Sequence, residues 1–108
     1  SQGMVFVADQ GNHRVQMFDP DGEYIREYSG LDSPSGVTVD MQGNIYVTES
    51  RNYISIISSE GDITSRLTID PISDGGESGF HAISIDSLGS LYFAQSAKKG
   101  IRKYNRER

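Results

Sequence analysis

Apolar and polar residues alternate with a period of two through Val37-Thr38-Val39-Asp40, Asn44-Ile45-Tyr46-Val47 and Ser84-Ile85-Asp86-Ser87. Side chains of a strand point to opposite faces in turn, so this period predicts half-buried β-strands. The runs are short and end in Asp, Gly, Asn or Ser, the residues of tight turns. No window carries a convincing helical period. The pattern predicts an all-β chain.

The pattern also repeats. "GVTVDMQGNIYVTES" begins at Gly36 and "AISIDSLGSLYFAQS" at Ala82, an offset of 46 residues with matching positions throughout. Val5–Asp9 aligns with Ile45–Glu49 at an offset of 40, and both align with Leu91–Gln95. Downstream, Val15-Gln16-Met17-Phe18 corresponds to Ile54-Ser55-Ile56-Ile57 and to Ile101-Arg102-Lys103-Tyr104. "DPDGE" at Asp19–Glu23 corresponds to "SSEGD" at Ser58–Asp62. One unit therefore reads strand A, Gly turn, strand B, polar loop, strand C, Gly turn, strand D. Gly22, Gly43, Gly61 and Gly89 stand near the ends of the turns, where a positive φ is often required. Asp40 and Asp86 open the A–B turns, where a carboxylate can accept backbone N–H groups two residues on.

Units of about 40–45 residues with four strands each are the mark of β-propeller blades. The fold expected is all-β: three blades of antiparallel strands in one repeat domain over 1–108. Blade 1 is expected at 4–30, blade 2 at 35–69 and blade 3 at 80–104, followed by a basic end at 98–108 that overlaps it. The first blade is expected to lack strand A and the last to lack strand D.

"VADQGNHRVQMF" resembles the NHL repeat, which runs apolar-Ala-Asp-x-x-Asn-His-Arg-apolar-Gln-apolar-Phe. The second unit, "VTESRNYISII", keeps the acid and Asn52 but not the His and Arg. The third, "FAQSAKKGIRKY", keeps the apolar frame. The resemblance implies a propeller that closes with about six blades. This chain would then be part of a larger ring or would assemble into one. It also implies a surface that binds protein or RNA. As an alternative, some relatives of the fold are metal-dependent lyases or lactonases, with ligands converging on the channel from several blades.

Strand direction sorts the loops onto two faces. The Gly turns take one. The B–C and D–A loops, at 9–14, 29–35, 49–52, 69–79 and 95–100, take the other, and functional residues concentrate on such longer loops. The candidate binding residues there are His13, Arg14, Glu49, Arg51, Asn52, Asp74, Lys98 and Lys99. Asp9, Asn12, His13 and Arg14 have a second reading as turn chemistry, with Arg14 paired to Asp9 or to an acid of the neighbouring blade. No catalytic residue, metal ligand or cofactor is assigned. His13 and His81 have no partner at ligand spacing. Asp70, Asp74 and Glu77 do not keep the spacing of a calcium loop. No "GxSxG" and no phosphate loop occurs.

Composition narrows the partners. The 108 residues include no cysteine, which excludes disulfides and thiol chemistry. No apolar run approaches the length of a membrane span, and no charged-then-apolar leader opens the chain. The chain reads as soluble, with no compartment assigned. The net charge is −5, but the last eleven residues carry six basic residues against one acid, leaving −10 on the first 97. An acidic body argues against a general nucleic-acid footprint. A basic end on an acidic body suits head-to-tail contact, so self-association is expected, with a protein partner as a further possibility.

Overall fold

The computed structural model describes residues 3–49, 53–68, 80–95 and 101–104. Among the described residues, ten strands form three antiparallel sheets. The first contains β1 (Val5–Asp9), β2 (Arg14–Phe18) and β3 (Tyr24–Ser29) in sequence order. The second contains β4 (Gly36–Val39), β5 (Ile45–Glu49), β6 (Tyr53–Ile57) and β7 (Ile63–Thr68). The third contains β8 (Phe80–Ile85), β9 (Leu91–Gln95) and β10 (Ile101–Tyr104). These are the expected strands B–C–D, A–B–C–D and A–B–C. The B–C loop of the first blade is a single 3₁₀ turn at Gln10–Asn12.

The Gly turns share one hydrogen-bond scheme. Gly22, Gly43, Gly61 and Gly89 donate their N–H to the carbonyls of Asp19, Asp40, Ser58 and Asp86, at 2.8 to 3.1 Å. Their φ values lie between 86° and 100°, the left-handed region that glycine enters without steric cost. The opening side chain locks each turn. Asp40 Oδ1 accepts the N–H groups of Gln42 and Asn44, and Asp86 Oδ1 those of Leu88 and Ser90, all at 2.9 Å. Asp19 Oδ1 accepts from Asp21 and Glu23 at 2.9 Å, and Ser58 Oγ from Glu60 and Asp62 at 3.2 and 3.3 Å. The register slips at Met17/Phe18 in the first blade and at Ile56/Ile57 in the second, the same repeat position. Such a bulge bends and twists the outer strand pair.

Alternation gives each blade two faces, and the blades stack through them. Phe6, Val15, Met17 and Tyr28 of the first blade pack on Ile45, Val47 and Ile57 of the second, with Leu31 of the connecting loop. The opposite face of the second blade offers Tyr46, Ile54, Ile56 and Leu67 to Ile83, Ile85, Leu91 and Phe93 of the third. The core is therefore two apolar layers, each between consecutive blades. Burying one such Ile, Val or Leu stabilises the chain by about 1.5–3 kcal/mol relative to leaving it in water.

Candidate functional site

The end of strand B holds an acid in the first two blades, and each acid organises a polar cluster. In the first, Asp9 accepts from Arg14 Nε at 2.9 Å, Gln16 Nε2 at 3.0 Å and Asn12 Nδ2 at 3.1 Å. Arg14 also donates to Glu27 Oε1 at 3.1 Å. Hydrogen bonds from Asn12 and Arg14 hold the Asp9 carboxyl below the usual aspartate range, and the Asp9 bond pushes Arg14 up. Arg14 is thus paired within its own blade. His13 stands at φ 56°, ψ 43°, a left-handed conformation, and closes the 3₁₀ turn with its N–H on the Gln10 carbonyl at 3.2 Å. Its Nδ1 accepts the Ser33 N–H at 3.3 Å, and its carbonyl accepts the Leu31 N–H at 3.2 Å. His13 therefore fixes the loop that leads to the second blade, while Arg14 ties strand C to Asp9 and Glu27 of its own blade.

Glu49 departs from the expected loop-face placement. It ends β5 and is 1% exposed, on the same face as Ile45 and Val47. It accepts the Asp32 N–H at 2.6 Å and a very short bond from Ser55 Oγ. Arg66, 45% exposed, approaches from β7 at 3.8 Å and donates to Ser55 Oγ at 2.9 Å. Parity along Ile45-Tyr46-Val47-Thr48-Glu49 was the available signal, because it puts Glu49 on the side of the core residues. Arg51, Asn52, Asp74, Lys98 and Lys99 lie outside the described residues, as does the side chain of His81. Among the described residues no group of three or more His, Asp or Glu side chains could hold a metal ion. Among them, too, no helix is long and apolar enough to cross a membrane.

The outward face of the first blade carries Val5, Val7, Phe18 and Tyr24. Cross-strand register places Val5 beside Phe18 and Tyr24, and Val7 beside Gln16 and Glu27, on the side away from the second blade. The Phe18 and Tyr24 rings meet edge to face with centroids 6.0 Å apart. Val5 is 49% and Val7 43% exposed, whereas their repeat equivalents Ile45 and Val47 are 1% and 0% exposed. The glycines agree. A Cβ on Gly61 would meet Arg26 Nη2 of the neighbouring blade at 2.6 Å, but one on the equivalent Gly22 would meet nothing within 4 Å. The seam that does form, between the first two blades, contains a cleft of about 370 Å³. It is lined by Met4, Phe6, Met17, Tyr28, Gly43, Ile45 and Ser59.

No protein-family model matches the chain. NHL repeat-containing protein 3 of Homo sapiens is 29% identical over 113 aligned residues, covering 96% of this chain and 33% of that protein. The Mus musculus protein of the same name is 29% identical, over 94% of this chain and 32% of its own length. The chain thus spans about a third of the curated relatives it matches. Among solved structures, a streptogramin B lyase superposes over 98% of this chain and 38% of its own, with a TM-score of 0.70 at 18% identity. The virginiamycin B lyase of Staphylococcus aureus superposes over 97% and 38%, with a TM-score of 0.67 at 22% identity. At these identities the two lyases speak for the fold alone. The repeat register and the superpositions show the fold of consecutive β-propeller blades, and the sequence is similar to that of NHL repeat-containing protein 3.

Proposed function

We propose that the chain is a binding scaffold, whose job is to dock another macromolecule against a blade face rather than to carry out chemistry within these residues. The observation behind it is the mismatch between equivalent positions. Val5 and Val7 are open to solvent where Ile45 and Val47 are fully covered by a neighbouring blade. An apolar sheet face flanked by ionic residues is the form an interaction surface takes. A rigid stack of sheets also loses little freedom on binding, which favours association. In this reading the outward face of the first blade meets a further blade, from a second copy or from the remainder of a longer propeller, and the B–C and D–A loops are left to meet a protein partner. His13 and Glu49 then serve by holding those loops in place.

Sedimentation of the 108-residue chain from low to high micromolar concentration tests the reading, combined with amide exchange at β1 and β2. Association that slows exchange in β1 supports it. A strict monomer whose β1 amides exchange equally fast at every concentration overturns it. The alternative, a metal-dependent lyase-like or lactonase-like enzyme, rests on likeness of fold and has no residue among those described to carry it.

A further inference from the structure

Beyond the blade-face docking above, we propose that the cleft between the first two blades receives an aromatic side chain from a basic peptide segment of a partner protein, whose flanking lysines or arginines lie on the acidic Gly turns around it. Gly43 and Ser59, which line the cleft, belong to the A–B and C–D turns of the second blade, so it opens on the Gly-turn face. The turns close up around its mouth. A Cβ on Gly43 would meet Ser59 Cβ at 3.3 Å, and one on Gly3 would meet Pro20 Cγ at 3.2 Å. At about 370 Å³ the cleft stands at the small end of ligand sites, which run from about 300 to 1,000 Å³, so it suits one large side chain. Met4 and Met17 line it together with the rings of Phe6 and Tyr28. Thioethers adapt their shape to an incoming ring and attract its edge.

One group of the wall wants a polar partner. Tyr28 is 7% exposed, and within the described residues its hydroxyl makes a single hydrogen bond, donated to Met17 Sδ at 3.8 Å. A thioether is a weak acceptor, and among those residues no donor reaches the hydroxyl oxygen. A buried hydroxyl so placed gains from an N–H that enters the cleft, and the indole of tryptophan carries one on an otherwise apolar ring. Charge selects the flanks of the peptide. Asp19, Asp21, Glu23, Asp40, Glu60 and Asp62 stand in the turns at 19–23, 40–43 and 58–62, which contain no lysine or arginine. Asp21, Glu23, Glu60 and Asp62 are exposed. Arg26 stands beside the cleft with its guanidinium 4.8 Å from the Tyr28 ring centroid, and it leaves the acids in excess. Such a rim repels nucleic acid and anionic lipid and draws a basic chain.

The chain has no tryptophan, so a tryptophan in a peptide reports its own burial. The probe is a pentapeptide with tryptophan between two pairs of lysines, capped at both ends. Adding the chain shifts its emission to the blue, and the shift saturates. Tyr28→Phe keeps the ring and weakens this peptide about three- to tenfold. The same variant leaves unchanged a competing peptide with phenylalanine in place of the tryptophan. Glu60→Lys combined with Asp62→Lys, both at exposed positions, weakens the probe about tenfold at low salt, and the gap closes as salt is raised. Absence of a saturable shift overturns the proposal. So does binding that neither protein variant weakens, or equal binding of the matching peptide with glutamates in place of lysines. Sedimentation reads the blade face separately, so either reading can fail alone.

Discussion

Arg66 of the second blade stands where Glu27 stands in the first. Gln16 faces Glu27 across strands C and D, and Ser55 faces Arg66 at the same repeat position. The charge has changed sign because the cation has moved. In the first blade Arg14 on strand C bridges Asp9 and Glu27. In the second, Tyr53 takes the Arg14 position, and the positive charge reaches Glu49 from strand D instead. The second unit lost the Arg of its repeat without losing the cation near its acid.

Removing that cation, or the acid, separates the two roles. Glu49→Ala leaves the Asp32 N–H and the Ser55 hydroxyl without their acceptor in a buried place, at a cost of about 1–3 kcal/mol. Arg66 is nearly half exposed and 3.8 Å away, so Arg66→Ala costs less, on the order of 0.5–1 kcal/mol. Urea unfolding of both variants checks the ranking. Equal losses would mean that the ion pair, not the loop anchor, dominates.

The two C–D turn glycines give a matched pair. Gly22 and Gly61 have φ of 86° and 100°, so alanine at either meets the left-handed strain of about 1–2 kcal/mol. At Gly61 the added methyl also displaces the Arg26 guanidinium, which lies 4.8 Å from the Tyr28 ring centroid. Losing that contact adds roughly 0.5–1 kcal/mol. Gly61→Ala is therefore the more destabilised in thermal unfolding.

Acid should loosen the turns before it loosens the core. Burial opposes ionisation of Asp40, but the Asn44 N–H and side-chain amide, the Tyr46 hydroxyl and the Gln42 N–H outweigh it and lower its pKa. Asp86 is lowered first by the Ser90 N–H, against burial, with help from the Tyr92 hydroxyl. A carboxyl depressed in the folded state stabilises it above the unfolded pKa, near 4. That stability is lost as pH falls through the folded value. Stability measured by urea midpoint should therefore hold from neutral pH to about 5 and drop below 4. Asp40→Asn starts lower, having lost acceptor capacity for Tyr46, and shows a shallower acid drop. An unchanged slope in that variant would remove Asp40 from the explanation.

Most of the strand framework was legible because turn chemistry and period-two alternation recur at fixed offsets. Ile45–Glu49 and Leu91–Gln95 could be placed by matching them to Val5–Asp9, and the structure has strands at all three. The site was less legible for a physical reason. An acid at the end of strand B reads as a loop residue, and Glu49 is buried because its blade is covered on both faces by its neighbours. Besides Ser55, its partners come from residues 17 positions before it and 17 after, Asp32 and Arg66, and nothing local announces those two.

His13 offers the sharpest test of whether the "NHR" motif is architecture or ligand chemistry. Its φ of 56° suits asparagine and glycine and penalises a β-branched residue. Its Nδ1 holds the Ser33 N–H, a weak bond at 3.3 Å on an exposed loop. If its role is the turn, His13→Asn keeps the backbone and costs under about 0.5 kcal/mol, whereas His13→Val costs about 1–2 kcal/mol from left-handed strain. Urea unfolding of both variants checks this, and a loss in His13→Asn as large as in His13→Val would show that the imidazole, not the backbone, holds the turn.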